Sequence, residues 1–323
     1  MNRFGLPVVA LSIAMAGGAD AVRAQDYPNK PVRFVLGLAP GGSTDVIARI
    51  VAQKLSEAWG QNVLVDNRVG AGGTIGADLV VKAQPDGYTL FVGGFGPNAI
   101  APGLYPALPY DPYKDFAHVT LMVTLPLVLV VPSSSPVTGL KDLIDRAKAK
   151  PGALRYASIG VGSSPHVFAE LMNMRAGISA VHVPYKGAVA ALTGVIAAET
   201  DYVMSSVSTA LPQLASGRIR AIAVTSAGPT QRLPGVPPIA SVLPGYEGLE
   251  FHTMHAPAHT PKAIVAKLQR DVAAVLHLPD VKLRLDVLAM DVQASTSEQC
   301  AAFIKEQIDT WTAVARKANV RAD

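Results

Sequence analysis

Alternating strand and helix signals along 323 residues predict an α/β protein of two doubly wound lobes. The length suits two domains of about 150 residues each, and half the residues are hydrophobic, enough to fill two cores. Short apolar runs recur, each closed by a glycine-rich turn and followed by helical spacing, a pattern that implies parallel sheets with ligands collecting outside the carboxyl ends of the strands. The formal charge of +4 and pI near 9.1 are mild. No run of five or more Lys/Arg occurs, so no nucleic-acid partner is expected.

The first 24 residues stand apart. Arg3 supplies a positive start, Leu6 to Ala16 an apolar stretch, Gly17 and Gly18 break it, and Val22-Arg23-Ala24 offers the small residues a signal peptidase reads. Residues 1–24 are therefore expected to be a signal peptide cleaved between Ala24 and Gln25. The apolar stretch is too short to span a bilayer, and no later one reaches about 18 apolar residues, so a soluble exported protein is expected. The lone Cys300 cannot form an intramolecular disulfide and reads as a small buried hydrophobe.

Val32 to Ile47 reads as strand, tight loop and helix start. Gly41 and Gly42 give the loop its freedom, and the first turn of the helix leaves amide hydrogens without partners, so backbone and helix dipole together form an anion cradle. The plainer reading is that the glycines turn the chain and Ser43 caps the helix. Ile47, Ile50, Val51 and Leu55 share one helical face, and Gly60 ends it. A strand at Asn62 to Val65 leads to a glycine-rich link, Arg68 to Thr74. Gly70 and Gly72 fit the start of G-x-G-x-x-G, but Ile75 occupies the third glycine position, so the link reads as a structural turn. Tyr88 to Gly93 is a strand ending in a loop around Phe95, Ala99 to Phe116 a connector, and Val119 to Val131 two extended pieces around Pro126.

A second series of the same kind follows. Thr138 is expected to cap a helix to about Lys148, Arg155 to Ile159 is a strand, and Gly160 to His166 is a glycine-serine loop opening a helix, with Pro165 in its first turn. Strands at Val181 to Pro184, Asp201 to Met204 and Ile219 to Thr225 flank a helix at Ala188 to Ala197. The chain then returns through Phe251 to Pro257, a helix starts at Thr260-Pro261, and Thr296 with Gln299 forms a capping box before a last helix. The double crossing predicts a discontinuous first domain, 25–125 with 227–323, and a continuous second one, 126–226, with a cleft between them facing both glycine-rich loops.

These residues resemble a known family, the Bug-type periplasmic solute receptors, or substrate-binding subunits of tripartite tricarboxylate transporters. The segments that carry the resemblance include Tyr27-Pro-Asn-Lys-Pro-Val32, Pro40-Gly-Gly-x-x-Asp45, Asn67-Arg-Val-Gly-Ala-Gly-Gly-x-Ile-Gly76, Pro85-Asp-Gly-Tyr-Thr-Leu90, Ser158-x-Gly-x-Gly-Ser163 with His166, His182-Val-Pro-Tyr-Lys-Gly187 and Ala256-Pro-x-x-Thr-Pro261. The resemblance implies a type II periplasmic-binding-protein fold that closes like a flytrap on a small organic acid, whether a mono-, di- or tricarboxylate, an amino acid or an aromatic acid. It implies a periplasmic monomer that delivers the acid to membrane subunits of the transporter, with no cofactor and no metal. Carried onto this chain, the ligand-binding set is Ala39, Gly41, Gly42, Ser43, Thr44 and Asp45 from one lobe and Ser158, Gly160, Gly162, Ser163 and His166 from the other. Independently of the resemblance, the strand-end rule adds Phe95, and it places Asp201 with Ser205 and Ser206 near the far side of the cleft. The chain departs from the family with Ala39 before Pro40, with Phe251, His252, Thr253, Met254 and His255 in the return segment, and with His259.

Asp45 cannot itself attract a carboxylate; it caps the helix start, orients the loop by accepting amides, or accepts from a ligand hydroxyl or ammonium. Ser163 and His166 invite a hydrolase reading, but no G-x-S-x-G elbow is present, and no enzyme is expected. His252, His255 and His259 lie on an extended segment with no acidic ligand beside them, so they read as surface or cleft-lining residues rather than metal ligands. Lys186 reads equally as a partner for a second carboxylate and as a solvated loop residue. A periplasmic sensing module for a membrane signalling partner is the second functional reading.

Overall fold

The strand Val32–Leu36 (β1) is buried along nearly all its length and anchors the first series of elements in a computed structural model that describes residues 27–317. The expected signal peptide lies outside the described residues. β1 pairs in parallel with Val63–Asn67 (β2) and Thr89–Gly94 (β3), through the crossover helices Ser43–Trp59 (α1) and Thr74–Val81 (α2). α1 turns Ile47, Val51 and Leu55 into the same core as Phe34 and Leu36, each such side chain stabilising the fold by about 1.5–3 kcal/mol. Gly60 ends it in the left-handed conformation and donates to the Ser56 carbonyl at 3.1 Å. The glycine-rich link is a packing device: a Cβ on Gly37 would overlap the Gly73 backbone, so β1 and the entry to α2 touch main chain to main chain.

After β3 the chain winds through a wide turn, Gly96–Ile100, into the short helix Ala101–Leu104 (α3), where the sequence pattern suggests only loop and connector. Phe116–Pro132 (β4) is one strand rather than two pieces. Its first part, through Pro126, pairs antiparallel with Leu249–Pro257 (β9); its last part, Leu127 to Pro132, pairs with Tyr202–Ser206 (β7) and Ile219–Val224 (β8). Pro126 falls where the partners change, so its missing N–H costs the ladder little.

The second series runs Leu140–Ala149 (α4), Arg155–Ser158 (β5), Ser164–Ala176 (α5), Val181–Pro184 (β6), Ala188–Ile196 (α6), β7, Val207–Ala215 (α7) and β8. α4 begins after Gly139, and Thr138 does not cap it; instead the Thr138 amide donates to the Asp142 carboxylate at 2.9 Å. The pattern alone leaves α7 unassigned because Pro212 sits inside it. β9 then returns to the first series and is followed by Lys262–Leu276 (α8), Pro279–Val287 (α9), Asp291–Val292 (β10) and Ser297–Lys317 (α10).

The strand order is β2-β1-β3-β9-β4-β7-β5-β6, with β8 and β10 also on β4. The expected parallel pairing holds for β1 with β2 and β3 and for β5 with β6 and β7, whereas β4, β8, β9 and β10 pair antiparallel. β4 and β9 carry the chain in opposite directions between the two series, which makes the sheet mixed. α10 packs back across the junction: Trp311 sits against Phe95 at 4.8 Å and against Phe168 of α5 at 5.0 Å between ring centroids.

Candidate functional site

The carboxyl ends of β1, β3, β5, β6 and β7 open onto one cavity. Four helices start at its wall. Ser43 and Thr44 of α1, Ser164 and Pro165 of α5, Ala188 of α6, and Ser206 immediately before α7 all line it. Their N-cap residues, Gly42, Ser163, Gly187 and Ser206, make no side-chain capping bond. First-turn amides are thus left for another acceptor, and four positive dipole ends converge on one space. Among the described residues, no lysine, arginine or histidine lines the cavity. The arrangement suits an anion held by backbone amides and hydroxyls.

The first loop is organised by Asp45 from behind. Its Oδ2 accepts from the Gly41 amide at 3.1 Å and from Arg49 Nε at 2.9 Å, and its Oδ1 accepts from Asn67 Nδ2 at 3.2 Å. Burial alone would raise this carboxyl, but the bonds from Arg49, Gly41 and Asn67 outweigh it and hold it below the usual range. With its oxygens so engaged, Asp45 orients the loop and does not line the cavity, whereas Ala39, Gly42, Ser43 and Thr44 do. Gly41 takes a positive φ of 87°, and its carbonyl accepts from Thr209 of α7 at 3.4 Å. A Cβ on Gly187 would come within 2.9 Å of the Ala39 Cβ, so the loops of the two series touch.

In the second loop Ser163 lines the cavity, and its hydroxyl donates to the Gly160 carbonyl at 2.7 Å. Ser158, Gly160, Gly162 and His166 shape the loop from beneath. The fully buried Ser158 hydroxyl receives the Gly160 amide at 3.1 Å and contacts His182 Nε2 at 2.6 Å, while His166 Nδ1 accepts from the Gly162 amide at 3.1 Å. Gly160 and Gly162 both have positive φ. His166 and His182 stack at 3.8 Å, and Tyr156 and Tyr202 extend the column. Desolvation by burial pushes His166 down to about 3 and His182 to about 4, so the stack is neutral near pH 7. Ser163 and His166 do not bond to one another, which removes the nucleophile and base geometry a hydrolase needs.

Phe95 lines the cavity, while its ring packs against Phe168 and Trp311. Asp201 does not reach it. Asp201 precedes β7 at the amino end, its carboxylate accepting the Arg155 amide at 2.7 Å, a full strand away from the helix starts. Ser205 is buried and donates to the Ser206 carbonyl, and Ser206 lines the cavity in its place because neighbouring strand residues face opposite sides. Lys186 is exposed and outside the wall.

Sequence reasoning missed Glu250, Ser164 and Gly187. Glu250, on β9, accepts from the Phe95 amide at 3.2 Å through Oε1 and bonds to Ser164 through Oε2. Burial pushes it up to about 7, against the Phe95 and Phe251 amides that pull it down. The signal available was an acid between the apolar Leu249 and Phe251 at the return crossing.

The return-segment histidines do not form the surface or cleft group expected. Only His259 is exposed. His252 is buried, with Nδ1 3.4 Å from the Thr44 hydroxyl. His255 is buried in the core beside His118 and Cys300, and their ligand atoms lie within 4.8 Å of one another, the one such group among the described residues. Protein partners already occupy the imidazoles: His118 Nε2 donates to the Tyr113 carbonyl, the two Nδ1 atoms meet at 3.1 Å, and His255 Nε2 meets Thr253 Oγ1 at 2.7 Å. Burial pushes the Cys300 thiol up to about 12, far from the thiolate a metal binds.

Residues 47–320 match the model of the tripartite tricarboxylate transporter family receptor, TctC. The structure is similar to Rpa4515 of R. palustris, solved with adipate: TM-score 0.89, 33% identity, covering 92% of this chain and 100% of that one. The periplasmic binding protein BugD follows with TM-score 0.87, 32% identity and coverage of 92% and 100%. MatC from Rhodopseudomonas palustris, with bound malate, has TM-score 0.84, 32% identity and coverage of 89% and 99%.

Proposed function

This chain belongs to the tripartite tricarboxylate transporter receptor family, whose members are binding proteins rather than enzymes, and from that premise we propose that it captures a small organic carboxylate by flytrap closure and delivers it to membrane subunits of the transporter. The observation that carries this reading is the meeting of four uncapped helix N-termini at a cavity with no basic side chain among the described residues that line it. Amides there match a carboxylate, and each series supplies only part of the donors, so ligand draws the two together. The proposed lobes are residues 25–125 with 227–323, and residues 126–226. The switch of β4 partners at Pro126 and the contacts of Ala39 with Gly187 and of Gly41 with Thr209 support a hinge at that place and a closed arrangement. The periplasm is the proposed location, after cleavage behind Ala24, and a monomer the working form; the similarity to BugD and the composition of the first 24 residues support this.

Calorimetry and thermal shift on refolded, ligand-stripped protein against adipate, malate and a panel of other organic acids test the reading. A saturable response to at least one acid, with a smaller radius of gyration by X-ray scattering, is expected. No response to any acid at millimolar concentration overturns it.

A further inference from the structure

Among the described residues lining the cavity, one is ionisable, and it is an acid. Glu250 enters from β9, the strand that returns from the second series to the first, and it is only 7% exposed. Its carboxyl is built in rather than loosely placed: the Phe95 amide and the Ser164 hydroxyl hold its two oxygens, and a Cβ on Gly94 would lie 2.9 Å from Oε1, so the glycine makes the room it occupies. Ser164 is also the first residue of α5, so the carboxyl lies beside one of the four dipole ends that favour an anion. An ionised Glu250 would share that space with a ligand carboxylate, and no cationic side chain among the described residues lines the wall to stand between them.

We propose that Glu250 works as a neutral carboxylic acid that donates its proton in a hydrogen bond to a ligand oxygen, so that this receptor takes up an organic acid anion together with a proton held on Glu250. The proposal rests on the carboxylate reading above and narrows it. The ligand presents an acceptor oxygen at Glu250, as a carboxylate or carbonyl, and not an ammonium. No atoms are exchanged; a proton from solvent resides on Glu250 in the complex.

Groups around Glu250 leave it as the one that titrates near neutrality. On β9 itself, His252 lies two residues along with Nδ1 toward Gly94, and burial pushes it down to about 3. From α5, His166 is likewise pushed down to about 3, and its Nδ1 is taken by the Gly162 amide. At the start of α1, Asp45 is paired with Arg49 behind its loop. β4 offers Leu125 and Leu127, the end of β3 offers Gly94, and Lys186 ahead of α6 is exposed away from the wall. Burial raises Glu250 itself to about 7.

The test is calorimetry of the ligand-stripped chain with adipate, malate and aspartate from about pH 5.5 to 8.5, in buffers of different ionisation enthalpy. Above about pH 7 the Kd of the responding dicarboxylate is expected to rise about tenfold per pH unit, with net uptake approaching one proton. Glu250→Gln, which keeps a donor and the shape, is expected to bind within about threefold of the wild-type low-pH affinity at every pH, and Glu250→Ala to bind at least tenfold more weakly at low pH. In isotope-edited infrared spectra, a carboxylic C=O band present in wild type near pH 6 and lost in Glu250→Gln is expected without any ligand.

A Kd independent of pH, or a carboxylate band for Glu250 at about pH 6, overturns the proposal while leaving the binding reading intact. Tighter binding of aspartate than of malate that is lost in Glu250→Gln overturns it in favour of an ionised Glu250 receiving an ammonium. Failure of every acid at every pH overturns the carboxylate reading and the proton coupling with it.

Discussion

At the scale of single residues, the site is made by side chains that keep out of it. Asp45 spends both oxygens on the loop behind the cavity, and what it presents to a ligand is the geometry of Gly42, Ser43 and Thr44. Gly187 plays the matching part on the other side. Its φ of 120° is open to glycine and costly to other residues, and an added Cβ would press on Ala39. Gly187→Ala is therefore expected to weaken binding of every acid about tenfold, roughly 1.4 kcal/mol, through hindered closure. Calorimetry with adipate and malate checks it; equal affinity in the variant would show that the loops need not meet. His166 and Ser163 were legible from sequence as loop residues, but their separate partners, the Gly162 amide and the Gly160 carbonyl, were not.

Among the elements, those with strong local signals formed as expected. β6 has the boundaries its apolar run gives, and the capping box ahead of α10 is made in both directions: the Thr296 amide donates to Gln299 at 2.9 Å and the Gln299 amide to the Thr296 hydroxyl at 3.2 Å. Thr296→Ala is expected to lower unfolding free energy by about 1 kcal/mol without changing ligand affinity, as read by denaturant titration and calorimetry. Elements with weak or contradictory local signals were hidden. α7 contains a proline, β10 has two residues, and β4 passes through Pro126 because its partners on either side, β9 before and β7 and β8 after, hold it straight. Only pairing with distant strands decides such cases.

For the whole molecule, buried imidazoles set the response to acid. His118, His166, His182, His252 and His255 are all held neutral by burial, so their folded values lie below the ordinary value of about 6.5. The unfolded chain then binds more protons as pH falls below that value. Their contribution is complete above it and is lost toward about pH 4, at up to about 1.4 kcal/mol per pH unit for each fully buried histidine and less for the half-buried His182. Glu250 acts in the opposite sense, its raised value favouring the fold at low pH and losing that contribution through about pH 7, but it is one group against five. Denaturant unfolding at about pH 7 and about pH 4.5 is expected to show a clear loss at the acid end, reduced in a His166→Gln/His182→Gln double variant; an unchanged pH slope would remove the stack as the cause. What the sequence by itself determined was the α/β class, the order of most elements and the two glycine-rich helix starts, because periodicity, glycine positions and caps act over a few neighbouring residues. Only the tertiary structure decided what stands in the cavity: it brought Glu250 from β9 against Ser164 and Phe95, chose Ser206 over Ser205 of the two serines the sequence offered at that strand end, and left Asp201 at the far end of β7, since which face of a strand meets a ligand depends on registers fixed by partners far away in the chain.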